Sequence, residues 1–144
     1  MVLIDDLILA RIALSNLCDG FSTSNSSKNN ILSIKIKILF LLDQKDLTPA
    51  ELISALCIAK SNLANMLKGL IESGLVESYK NFNNSRNINY HITEQGRKEL
   101  NEYKTYLGDE ISNKISRVPE LQENLISLSK NLSTIIEILK KDTL

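Results

Sequence analysis

The sequence predicts a mainly α-helical protein carrying one small β-hairpin. Three observations carry that expectation. Apolar residues recur at three- and four-residue spacing along most of the 144 residues, the period of helices packed on a core. Breakers are scarce, with two prolines and five glycines. One polar run, Asn81 to Asn87 (NFNNSRN), separates two short segments of strand character. The composition, 43% apolar and 24% charged, is that of a globular protein. Aromatic residues make up only 5%, so the core must be aliphatic.

The elements follow in order. Leu3, Ile4, Leu7, Ile8, Ile12 and Leu17 predict a helix from Val2 to Cys18, ended by Asp19-Gly20. Phe21 to Asn30 (FSTSNSSKNN) reads as a polar loop. Ile31 to Leu42 is long enough, and spaced so, as to form a buried helix rather than a strand. Gln44-Lys45-Asp46 is a connection. Thr48-Pro49-Ala50-Glu51 then gives a helix start: Thr48 caps, Pro49 fits the first helical position, and Glu51 completes a capping box. That helix should reach Leu56. A turn through Cys57 and Ile58 leads to a second helix, Ala59 to Ser73, closed by Gly74. Leu75 to Lys80 and Ile88 to Ile92 are the predicted strands. Tyr79 and Tyr90 flank the hairpin and are expected to pair across it. Thr93-Glu94 starts a helix running to Leu107 or beyond, and Pro119 opens the last one, to Lys140. In the last helix Leu121, Leu125, Leu128, Leu132, Ile135 and Leu139 alternate in steps of four and three, a heptad-like seam.

Charge narrows the function classes only mildly. Seventeen basic and seventeen acidic side chains give a formal net charge of zero. Within Ile53–Lys98, Lys60, Lys68, Lys80, Arg86, Arg97 and Lys98 stand against Glu72, Glu77 and Glu94, a local net of +3. Asp5, Asp6 and Asp19 outweigh Arg11 in the first 19 residues. Two cysteines make no disulfide framework. No secretory signal is expected, because Asp5, Asp6 and Arg11 interrupt the N-terminal apolar residues. No run of about 18 uncharged apolar residues predicts a membrane span. A cytoplasmic location is the default expectation. No glycine-rich phosphate loop, serine elbow or paired Cys/His set supports catalysis, and neighbouring Asp5 and Asp6 point different ways on a helix. Neither an enzyme nor a bound cofactor is expected.

The order helix, tight turn, helix, hairpin, helix is that of a winged helix-turn-helix. In such a unit the second helix lies in the major groove, where base edges display distinct donors and acceptors. Leu63, Met66, Leu67, Leu70 and Ile71 form the apolar stripe of the predicted recognition helix. Lys60, Ser61, Asn62, Asn65, Lys68 and Gly69 are left for the opposite face. Asn suits adenine, Ser a base or a phosphate, and Lys60 and Lys68 suit phosphates. At the hairpin tip stand Asn84, Ser85 and Arg86, and Arg86 fits a narrow, electronegative minor groove.

The run from Leu47 to Leu100 resembles the MarR family of transcriptional regulators. The likeness rests on "LTPAEL" (47–52), "GLVE" after the recognition helix (74–77) and "ITEQGR" after the wing (92–97), in register without a gap. The resemblance implies a homodimer held by its N- and C-terminal helices, with a DNA-reading head on each subunit. It also implies repression, often relieved by a small-molecule effector or by oxidation. Ser61, Asn62 and Asn65 match the family's groove-facing positions, and Arg86 its wing arginine. Three residues depart from the pattern. Ala59 stands where the family often has Ser, Asn65 where it often has Arg, and Asn84-Ser85-Arg86 where it commonly has Asp-x-Arg. Fewer phosphate contacts and a shallower salt dependence are the expected result. Some members place an oxidant-sensing thiol near Cys18, but Leu17, Asp19 and Gly20 provide nothing to lower its pKa. Burial is the expected state of Cys57. His91, the single histidine, cannot form a metal site alone.

The chain is therefore expected to be one compact domain of three parts: residues 1–30 for dimerisation, 31–100 for DNA binding, and 101–144 for dimerisation. Leu3 and Leu7 join the C-terminal seam as the expected interface. The partner is double-stranded DNA with a pseudo-palindromic operator, half-sites about 10 bp apart. The rival reading is a winged helix that docks on another protein, favoured by the zero net charge.

Overall fold

The computed structural model describes residues 3–6, 8, 9, 34–81 and 84–142. Leu7, Cys18 and the polar run 21–30 lie outside the described residues. Residues 3–6, 8 and 9 are helical, and Leu3, Ile4, Ile8 and Leu9 are exposed. The elements that follow are α1 (Ile34–Gln44), α2 (Pro49–Leu56), α3 (Lys60–Glu72), β1 (Val76–Asn81), β2 (Asn84–Ile92), α4 (Glu94–Arg117) and α5 (Glu120–Asp142). The fold is mainly α with a two-stranded antiparallel hairpin. Two compact units divide the chain, residues 1–104 and 105–144.

The first unit is built on an aliphatic core. Ile38, Leu39 and Leu42 of α1, Leu52 of α2, and Leu63, Leu67 and Leu70 of α3 are buried there. Leu47, Leu75, Val76, Ile92 and Leu100 complete it. Each such side chain contributes about 1.5–3 kcal/mol of burial free energy. The cap signals act as read. The Thr48 hydroxyl accepts from the Glu51 N–H (3.3 Å), and a Glu51 carboxylate oxygen accepts from the Thr48 N–H (3.0 Å). The turn between α2 and α3 places Cys57 in the left-handed region, φ 53°. Its N–H reaches the Ile53 carbonyl and so closes α2. Cys57 is exposed, contrary to the burial expected of it, because a left-handed cap residue at a helix end turns its side chain out of the core.

The end of α3, the start of β1 and the start of α4 are tied together. Gly74, at φ +73°, donates to the Ile71 carbonyl, and Leu75 donates to the Leu70 carbonyl. That pair of bonds is a Schellman closure, which a left-handed glycine permits. Thr93 caps α4 by accepting from the Gly96 N–H (3.1 Å). Its hydroxyl also donates to the Gly74 carbonyl (2.7 Å), and its own N–H donates to the Leu75 carbonyl (3.0 Å). Gly96 lies so close to this strand start that a Cβ would overlap the Leu75 carbonyl oxygen and sit 2.7 Å from Ile92 Cγ1.

The hairpin is longer than the sequence suggests. Its strands meet at Asn81 opposite Asn84, so only residues 82 and 83 stand between them. Most of the polar run that reads as a wide tip is in strand conformation, and the Asn81–Asn84 pair extends the ladder into it. The register shifts at the tip: Lys80 faces Ile88, while Asn81 faces Asn84. Tyr79 and Tyr90 do not pair. Tyr79 faces Asn89 and Tyr90 faces Ser78, and neighbouring pairs point to opposite faces of a sheet. Tyr90 packs on the core and forms a two-bond bridge with Leu47 (3.2 and 2.9 Å).

In the second unit, Val118 donates to the Lys114 carbonyl and Leu121 donates to the Val118 carbonyl, joining the end of α4 to α5. Along α5, Leu121, Leu125 and Leu128 are half-buried. Leu132, Ile135 and Leu139 are exposed, as are Ile126, Ile136 and Ile138.

Gly96→Ala should destabilise the fold by about 1–3 kcal/mol, because the close-packed neighbours include backbone that cannot rotate away. Gly69→Ala is its control: a Cβ there meets nothing within 4 Å, and Ala is the better helix former. Urea unfolding of the two variants reads the difference.

Candidate nucleic-acid interface

The outward face of α3 is defined by what the helix buries. Leu63, Leu67 and Leu70 are at most 3% exposed and turn to the core. At about 100° per residue, the opposite face is centred on Ser61, Asn65 and Lys68. Asn62 flanks that face, and Lys60 begins the helix. All five are exposed. Met66 is half-buried against the core, but Ile71, read as part of the apolar stripe, is 39% exposed at its rim. Glu72 also falls on the outward face, one turn beyond Lys68, and is exposed. Its place became evident only with the buried face fixed.

The start of α3 lacks a side-chain cap. Ala59 takes the cap position in extended geometry and offers no hydrogen bond, as its departure from the family pattern implies. The first N–H groups of α3 therefore face outward without a side-chain partner from the cap residue.

The wing brings a second segment. Asn84, Ser85 and Arg86 begin β2. Ser85, Arg86 and Asn87 lie between the partner of Asn81 and the partner of Lys80, so the backbone departs from regular pairing where the wing arginine stands. The base of the wing is anchored on one face. The Tyr79 hydroxyl donates to Asp46 Oδ2 (2.6 Å), His91 Nε2 lies 3.0 Å from Glu77 Oε2, and the Tyr79 and His91 rings are 6.0 Å apart. Sequence reading missed Asp46, since nothing local links it to a residue 33 positions away.

One of the basic residues counted toward the positive segment, Arg97, is engaged in ion pairs, as are Lys35 and Lys104 outside it. Arg97 meets Asp43 (3.3 Å) and Glu94 (3.0 Å), Lys104 lies 3.9 Å from Asp43 and over the Phe40 ring, and Lys35 pairs with Glu99. The pairs with Asp43 and the Lys35–Glu99 pair join α1 to α4, and Arg97–Glu94 lies within α4. Among the described residues, no group of three or more His, Cys, Asp or Glu is placed to hold a metal. No described helix is long and apolar enough to cross a membrane.

A helix-turn-helix whose second helix presents a polar face beside a β-hairpin wing defines a DNA-binding class of protein. Residues 34–111 match the family described as winged helix DNA-binding domain, and the chain belongs to that family. Comparison with curated protein sequences gives no match. Among solved structures, the fold is similar to wild-type MarR from E. coli, with a TM-score of 0.68 at 22% identity over 84% of this chain and 93% of that one. It is also similar to the adhesin competence repressor AdcR from Streptococcus pyogenes (TM-score 0.56, 23% identity, 93% and 96% covered). A third is the transcriptional regulator BldR from Sulfolobus solfataricus (0.56, 22%, 92% and 91%). The MarR-like fold read from Leu47–Leu100 is thus found.

The Asp46 partner holds the Tyr79 phenol above its ordinary pKa of 10.0, first through their hydrogen bond, then through desolvation and the carboxylate's charge. A raised folded-state pKa means that the folded chain holds this proton more tightly than the unfolded chain. The contribution is present below pH 10 and is lost as pH rises through the raised value. Asp46→Asn should move the Tyr79 titration back toward 10.0, followed through the ring signals in NMR, and should flatten this alkaline loss of stability. An unchanged Tyr79 titration would contradict the assignment.

Proposed function

We propose that this chain is a sequence-specific transcriptional regulator, most simply a repressor, acting as a homodimer with α3 in the major groove and the wing on the backbone or adjoining minor groove. The observation that carries the reading is the exposed polar face of α3, Ser61, Asn62, Asn65 and Lys68 opposite a fully buried leucine stripe. A solvated helix needs no such wing beside it, whereas a groove reader does.

Dimerisation rests on the apolar surface outside the winged helix. Leu132, Ile135 and Leu139 continue the heptad seam and are 41–59% exposed in the single chain, and Leu3 is 70% exposed. Covering such faces with a second copy removes them from water, and the two copies together offer two α3 helices to a pseudo-palindromic operator. AdcR and BldR are described as a repressor and a transcriptional regulator, and the role carries over as part of this proposal. With DNA as its partner, the protein works in the cytoplasm. A small molecule that binds the dimer is its expected effector, as the family resemblance implies.

The zero net charge favours one rival, a winged helix that docks on a protein instead. Fluorescence titration against duplex DNA from upstream of its own gene, at low and at high salt, separates the two. The regulator reading expects saturable binding with two chains per duplex. Arg86→Ala or Asn62→Ala should weaken it about 10-fold, and Lys68→Ala should lower the salt slope by about one. Absence of binding at low salt would overturn the regulator reading in favour of the docking module.

A further inference from the structure

The chemistry on the outward face of α3 is specific enough to indicate which base pairs it reads. This step rests on the regulator reading above. No arginine occurs anywhere from Lys60 to Glu72, and beyond Lys60 the first two turns expose Ser61, Asn62, Ala64 and Asn65. Asn62 and Asn65 are three residues apart, about 4.5 Å along the axis at 1.5 Å per residue. That rise is close to the 3.4 Å that separates bases along a strand, so their carboxamides can serve neighbouring base pairs.

The two carboxamides are available. Among the described residues, neither Asn62 nor Asn65 has a side-chain hydrogen bond to the protein. Helical residues elsewhere in this chain do turn back on their own backbone: Asn124 Nδ2 donates to the Glu120 carbonyl (2.8 Å), and the Ser133 hydroxyl donates to the Ser129 carbonyl (3.0 Å). An Asn that keeps both donor and acceptor outward matches adenine, whose N6 amino group donates and N7 accepts in the major groove. Ala64 stands on the other flank of Asn65 with its methyl exposed. A methyl there suits the thymine C5-methyl.

The two lysines are placed for phosphate rather than guanine. Lys60 lies about 60° around the helix from buried Leu63, on the flank nearer the core. Lys68 stands about two turns past the start of α3, beyond the N-terminal residues that meet bases in helix-turn-helix proteins. Arginine is the commonest reader of guanine, and this face has none.

We propose that Asn62 and Asn65 read adenines at neighbouring positions and Ala64 a thymine methyl, so that each operator half-site has a core of A·T pairs with no G·C pair read by α3. Asn65 is the residue that sets this preference.

The test is selection by the full-length protein from a pool of random duplexes, followed by titration of the selected sequence. The expected result is a pseudo-palindrome with A·T pairs at the core of each half-site. Asn65→Arg should change one of those pairs to G·C in a repeat selection. Replacing the adenine at that position with 7-deazaadenine, which lacks the N7 acceptor, should weaken the wild type about 10-fold and Asn65→Ala no further. Selected half-sites with G·C pairs at the core would overturn the inference and leave the regulator reading standing. So would 7-deazaadenine losses equal in wild type and Asn65→Ala. A pool from which no sequence is enriched would overturn the regulator reading itself.

Discussion

Three backbone segments meet where Thr93 bonds to Gly74 and Leu75, and the placement of α3, the hairpin and the start of α4 against one another depends on that meeting. The end of α3 can close tightly because Gly74 takes a left-handed conformation. The chain then enters β1 at once, and Leu75 and Val76 drop into the core. On the return, Thr93 fastens α4 to the same point, and Gly96 allows the two backbones into contact. The end of α3, the start of the hairpin and the start of α4 thus share one origin. A shift in any of them would move the others, because hydrogen bonds at van der Waals packing leave little compliance.

Electrostatics refine this picture more than they create it. The positive excess of residues 53–98 includes Arg97, which pairs with Asp43 of α1 and with Glu94 of its own helix. Exposed pairs of this kind contribute only about 0–1 kcal/mol each, so their effect is chiefly to orient the first turns of α4. The exposed surface of α3 carries two lysines, Glu72 and a set of neutral hydrogen-bonding groups. Such a face gains less from counterion release than an arginine-rich one and relies more on base-edge complementarity. The wing base follows the same economy: Tyr79 and Asp46 anchor it through one short hydrogen bond rather than through a charge pair.

Much of the fold was legible because the signals are local. Thr48-Pro49-Ala50-Glu51 marks a helix start by its own hydrogen bonds, and Gly74 marks a helix end by its conformation. The spacing of Leu63, Leu67 and Leu70 named the buried face of α3, and with it the exposed one. The misreadings share a cause in long-range pairing. The Asn81–Asn87 run is polar and loop-like, yet it is largely strand, with Asn81 and Asn84 pairing across the hairpin. Tyr79 and Tyr90 look like a cross-strand pair, but the register puts them on opposite faces. The Leu47–Tyr90 bridge and the Asp46–Tyr79 bond join segments whose proximity no short window contains. Cys57 looked buried by residue type, while its backbone conformation at the helix cap decided otherwise.

The central claim is that the outward face of α3 meets DNA while its leucine face stays in the core. NMR of the protein titrated with a bound duplex tests it most directly. The side-chain carboxamide signals of Asn62 and Asn65 should shift strongly and become protected from solvent exchange, with the Leu63, Leu67 and Leu70 methyl signals little changed. Shifts confined to α4 and α5, with both carboxamides unmoved, would contradict the account.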